Sequence, residues 1–80
     1  MMEVQVTLYG GLALAAGVPS GERAVVQVAA GSTVGDLMAV LKLSGSLPAV
    51  VFHNGTKTDL KQTLHPGDHV LFIPPVTGGG

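Results

Sequence analysis

The chain has 80 residues, 46% of them hydrophobic and 11% charged, with a formal net charge of -1 and neither cysteine nor tryptophan. So short a chain has room for one core, which excludes two domains, and its charge balance offers no cationic field, so neither nucleic acid nor a membrane surface is an expected partner. Without cysteine there is no disulfide framework, thiolate metal site or cysteine nucleophile. The oddest feature of the composition is glycine: twelve residues, three of them closing the sequence.

In chain order, Glu3 to Leu8 alternates polar and apolar, which places Val4, Val6 and Leu8 on one face of a half-buried strand. Gly10-Gly11 ends it, and Leu12 to Ala16 reads as a short helical turn packed on the core, too short to stand alone. After Pro19-Ser20-Gly21, a turn, Ala24, Val26 and Val28 form one face of a second strand that pairs with the first as a hairpin. Thr33 and Asp36 have the spacing of a capping box, and Val34, Leu37, Met38 and Leu41 form the apolar stripe of one helix of about ten residues, ended by Ser44-Gly45.

Ala49 to Phe52 reads as a third strand, followed by the turn dipeptide Asn54-Gly55. Lys57 to Gln62 is polar, with Leu60 and Leu64 as expected anchors, and His65-Pro66-Gly67-Asp68 is a further turn. Val70 to Ile73 is apolar on both faces, as a central strand covered on both sides would be, with a partner covering one side as the alternative, and Pro74-Pro75 ends it because proline cannot donate to a ladder. The order predicts an α+β domain, a small mixed sheet with one main helix across one face. The expected organisation is a domain over residues 1–75 and a flexible tail over 76–80.

The apolar runs are broken well before the roughly 20 residues of a membrane span, and Met1 to Glu3 is no basic leader, so the expected location is cytoplasmic. His53, His65 and His69 invite a metal reading, but Pro66-Gly67 breaks any helical pairing of the last two and no acidic cluster completes a shell. They are expected to be solvated turn histidines, and no metal or other cofactor is expected on this chain. Gly10-Gly11 lacks the lysine and spacing of a phosphate loop, and no buried nucleophilic constellation is expected, so autonomous catalysis is not. Lys42, Lys57 and Lys61 receive no role.

The element order, the Gly67-Asp68 turn and the ending Phe72-Ile73-Pro74-Pro75-Val76-Thr77-Gly78-Gly79 resemble the ubiquitin-like β-grasp sulfur carriers of the MoaD/ThiS type, with Leu8-Tyr9-Gly10-Gly11-Leu12 in support. Within that family the ending looks most like the small subunit of molybdopterin synthase. The resemblance implies a C-terminal carboxylate, here on Gly80, that an E1-like adenylyltransferase activates with ATP and Mg²⁺ and that becomes a thiocarboxylate. It further implies a large synthase subunit, assembled with the small one as a heterotetramer, in which sulfur passes to a pyranopterin precursor. The alternatives are a thiamine-thiazole sulfur carrier and a protein modifier conjugated through the terminal glycine.

The residues suit such a tail: glycine removes the side chains that block a narrow channel, and Pro74-Pro75 stiffens the exit from the sheet. Seven residues from Pro74 to Gly80 reach on the order of 20 Å when extended. Two departures from the family pattern stand out. Ala13-Leu14 replaces a charged pair after the first strand and is expected to pack on the core. Three glycines rather than two end the chain, so either Gly80 is the reactive residue or a residue is trimmed first.

Overall fold

A computed structural model of the chain describes residues 1–43 and 50–74. Seven elements follow one another: β1 (Met2–Leu8), α1 (Gly10–Ala16), β2 (Arg23–Val28), α2 (Val34–Val40), β3 (Val50–His53), β4 (Thr56–Thr58) and β5 (His69–Ile73). The strands form one sheet in the order β2-β1-β5-β3-β4. β1 pairs antiparallel with β2 and parallel with β5, so the sheet is mixed, as the element order predicts.

Strand alternation divides the sheet into two unlike faces. Val4, Val6, Leu8, Val28, Val51, Val70 and Phe72 are buried together with Leu12, Val34, Leu37, Met38 and Leu64 in one core cluster of the described residues. Each such side chain contributes about 1.5–3 kcal/mol by leaving water. On β5 the alternation is plain: Val70 and Phe72 are fully buried, whereas Leu71 and Ile73 are only half-buried. Of the two alternatives for this strand, cover on both sides is corrected, and a second face left partly open is what the described residues show. β5 is central in the ladder, between β1 and β3, but among the described residues its second face is only partly covered.

α1 is a helix of seven residues rather than a single turn. Too short to persist alone, it is held by Leu12 and Ala13 in the core and closed at Gly17 by bonds from Val18 N to Ala13 O and from Gly17 N to Leu14 O. The Ala13-Leu14 pair divides: Ala13 is 1% exposed and packs as expected, but Leu14 is 83% exposed.

α2 begins with the capping box read from the sequence, Thr33 Oγ1 accepting from Asp36 N and Asp36 Oδ2 accepting from Thr33 N. Two further N-terminal amides, of Val34 and Gly35, donate to the carbonyls of Gln62 and Leu60, which docks the helix start on the 59–63 segment. Gly35 allows that approach, since a Cβ there would lie 3.3 Å from the Leu60 carbonyl oxygen. The helix is shorter than the predicted ten residues because Lys42 turns to φ 62 and ends it, although the apolar stripe runs on into Leu41 and Leu43, both buried. Ser44-Gly45, the expected stop, lies outside the described residues. Leu64 is the expected anchor, whereas Leu60 is 39% exposed and also acts through its carbonyl.

β4 is absent from the sequence reading. Asn54 and Gly55, at φ 51 and 87, make the tight turn that folds Thr56–Thr58 back on β3, with His53 opposite Thr56 and Val51 opposite Thr58.

Candidate functional site

The element that positions the C-terminal exit is β5. It lies between β1 and β3, with Leu8 opposite Phe72 on one side and Val50 opposite Ile73 on the other. Ladder bonds on both sides fix its direction, and Pro74 leaves the sheet at the end shared with the last residues of β1. There it meets Gly10, whose φ of 55 disfavours any side chain and whose built Cβ would lie 3.6 Å from the Pro74 ring. The Gly10 amide is held by Ser20 Oγ at 3.1 Å. Leu8-Tyr9-Gly10 thus forms the rim of the exit. Of the predicted site residues Pro74 is placed here; Pro75, Val76, Thr77, Gly78, Gly79 and Gly80 lie outside the described residues.

Beside the exit, the half-buried Val50, Phe52, Leu71 and Ile73 lie together on the sheet face turned away from the helices, paired across β3 and β5. Lys57 stands opposite Phe52 on β4. On the other flank Arg23 Nη1 donates to Gln5 Oε1 at 3.0 Å, and the Thr7 hydroxyl is hydrogen bonded to His69 Nε2 at 2.8 Å. Burial, and secondarily the Arg23 guanidinium, push the His69 imidazole below its usual pKa, so it sits neutral beside Thr7. The patch next to the exit is apolar and edged by a cation on each side, Lys57 and Arg23.

At the opposite end of β5, Asp68 gathers three bonds. His53 Nε2 donates to its Oδ2 at 2.6 Å, the His65 amide to the same oxygen at 2.8 Å, and Asn54 Nδ2 to Oδ1 at 3.2 Å. Burial alone would raise this carboxyl; the bonds from His53, His65 and Asn54 outweigh it and hold the group below the usual carboxylate range. Asn54 bonds in turn to both backbone groups of His69, and the Asp68 carbonyl accepts from Gln5 N. One carboxylate therefore ties the β3–β4 turn to the start of β5 and, through the backbone, to β1.

The expectation of solvated turn histidines is corrected for two of the three. His53 and His69 are strand residues with partners, and only His65 is exposed in a turn. Among the described residues no three His, Asp or Glu side chains converge as metal ligands, and no helix is long and apolar enough to cross a membrane. An open hollow of about 390 Å³ lies near Met1, Glu3 and Gly67, at the end of the sheet remote from Pro74, and takes no part in the exit. Sequence reasoning missed the His53-Asn54-Asp68 cluster. The available signal was that Asn54-Gly55 and Gly67-Asp68 both read as turns; that they stand side by side depends on β3 pairing with β5.

Comparison with known proteins agrees with this arrangement. The profile of the ThiS family matches residues 6–79. Small archaeal modifier protein 1 of Haloferax volcanii superposes with a TM-score of 0.74 at 26% identity, over 95% of this chain and 100% of that one. The HVO 2177 protein of the same organism gives 0.77 at 29% identity, over 98% and 87%. A complex of subunits 1 and 2 of the molybdopterin-converting factor from Helicobacter pylori gives 0.61 at 24% identity, over 98% and 100%, a likeness of fold. No curated protein matches the sequence. A mixed sheet ordered β2-β1-β5-β3-β4, a central final strand and a family match that runs into the terminal glycines lead to one conclusion: the chain belongs to the ThiS family and has the ubiquitin-like β-grasp fold of the MoaD/ThiS sulfur carriers.

Proposed function

We propose that this protein carries sulfur on its C-terminal carboxylate and serves as the small subunit of a molybdopterin synthase. The observation that supports the sulfur-carrier part of the reading is the family match through Gly79, which takes in the tail as well as the folded domain, and the ending Pro74-Pro75-Val76 favours the molybdopterin branch. An E1-like adenylyltransferase, using ATP and Mg²⁺, converts the Gly80 carboxylate, or that of a preceding glycine after trimming, into an acyl adenylate: the carboxylate oxygen bonds to the α-phosphorus and pyrophosphate leaves. A poor electrophile thereby becomes a mixed anhydride from which a sulfur nucleophile displaces AMP, leaving a thiocarboxylate. This chain contributes the carboxylate and its delivery; Pro74, Pro75, Val76, Thr77, Gly78 and Gly79 form the segment that enters the partner. The Helicobacter pylori subunit 1 is found in a complex with subunit 2, which supports a large synthase subunit as the second partner.

The test is incubation with ATP, a cognate activating enzyme and a sulfur donor. Intact-mass spectrometry should show one terminal oxygen replaced by sulfur, and a chain lacking Gly79 and Gly80 should fold normally yet stay unmodified. An unchanged mass with a demonstrably active partner overturns the proposal. Sulfur transfer to a pyranopterin precursor with a large subunit, rather than to a thiazole precursor, identifies the branch. A second reading, covalent protein modification, is favoured by the likeness to a small archaeal modifier protein. It predicts branched glycine remnants on target lysines.

A further inference from the structure

The two edges of the sheet are unlike. β4 is three residues long, carries Lys57 at its centre and is followed by Asp59 and Lys61, the short charged strand with which proteins discourage edge pairing. β2 is six residues long, and over Ala24-Val25-Val26-Gln27-Val28 it has neither charge nor proline. Its register with β1 runs unbroken from Met2 opposite Val28 to Thr7 opposite Arg23, without a bulge. Among the described residues no strand pairs with its other side. Val25, at mid-strand, is 62% exposed, a large apolar residue on an edge that presents a row of backbone donors and acceptors.

We propose that β2 is a self-association edge, at which a second copy of this chain adds antiparallel across a twofold axis at Val25. Edge-to-edge antiparallel pairing places residues of the same face opposite one another, so the axis must pass through one residue and its twin. At Val25 it covers the exposed valine with its counterpart. Ala24 and Val26 of each copy then face each other on the core side, which extends the apolar layer they already join. Charges are compatible in this register: Arg23 stands opposite Gln27 of the second copy and Glu22 opposite Val28. No like charges meet.

Six residues a side is well below the 20–30 of a standard interface, so the dimer is weak and concentration-dependent. β1 separates β2 from β5, so both copies retain a free exit at Pro74 and the patch around Leu71 and Phe52. Self-association is thereby independent of tail chemistry, and its failure leaves the proposed function untouched.

Sedimentation velocity and a concentration series of amide NMR spectra on the full chain, from micromolar to millimolar, test this. The expected result is a mass rising toward twice 8.1 kDa, with shifts confined to residues 22–29 and their β1 neighbours. Val25→Lys, which sets two ammonium groups on the axis, should weaken association at least about tenfold. Gln27→Lys is the fold-neutral companion: its lysine lies opposite Glu3 within the chain and opposite Arg23 of the second copy, so it should preserve the fold and still weaken the dimer. A monomer at millimolar concentration, shifts centred on Phe52, Leu71 and Ile73, or association unchanged in both variants would overturn the proposal.

Discussion

Replacing Asp68 with alanine removes the acceptor on which three donors converge, and the cost follows from what each donor can do afterwards. His53 is 17% exposed and Asp68 12%, so their charge-assisted bond is lost in a half-dry setting, about 2 kcal/mol. The His65 amide and the Asn54 side chain are at the surface and turn to water, about 0.5 kcal/mol each. The sum is about 3 kcal/mol, a large share of the roughly 4–12 kcal/mol expected of a domain this size, and the melting temperature should fall by more than about 10 °C. Urea unfolding at pH 7 measures it. Because the folded carboxyl titrates below the ordinary aspartate value of 3.8, its contribution is complete above that pH and is lost as pH falls through the lower folded value. Wild type and variant should therefore converge in acid. A loss under about 1 kcal/mol, or no coupling between Asp68→Ala and His53→Ala in a double-mutant cycle, would refute the hub.

Three further outcomes are expected. The folded His69 titrates below 6.5, so the unfolded state binds more protons between the two values; stability should decline as pH falls below 6.5, and His69→Gln should flatten that slope in pH-dependent urea melts. Lys42 occupies in α2 the left-handed position that Gly17 occupies in α1, with Leu43 N bonded to Met38 O, so Lys42→Gly should stabilise by about 1 kcal/mol in thermal unfolding. Gly10→Ala should cost about 1 kcal/mol from its φ of 55 while keeping the Pro74 contact, since 3.6 Å is ordinary packing; calorimetry reads the first and the NMR shifts of Pro74 the second.

Sequence pattern disclosed what rests on neighbouring residues. The alternation of Val4, Val6 and Leu8, the Thr33–Asp36 box and the stripe from Val34 to Leu41 are local, and each stands where it was expected. β4 escaped because Thr-Lys-Thr carries almost no apolar signal, although a tight turn at Asn54-Gly55 calls for a returning strand. The sequence predicts only a turn for α1 because the helix's length depends on burying Leu12 and Ala13, a tertiary contribution. The partners of the histidines are hidden for the same reason: Thr7 and His69 are 62 residues apart in sequence and meet only because β1 and β5 run in parallel. The exit itself was legible as an apolar strand ending in proline, but its rim at Gly10 was not.

That parallel pairing has a mechanical consequence. Met2 begins β1 and Ile73 ends β5, at opposite ends of two strands that point the same way. A pull on the chain at Pro74, resisted at the amino-terminal end, slides one strand along the other and loads all the bonds between them at once, whereas an antiparallel partner would be peeled from one end bond by bond. Any tension drawn through the carboxyl terminus is met in shear by the centre of the sheet, which makes β5 an anchor as well as a guide.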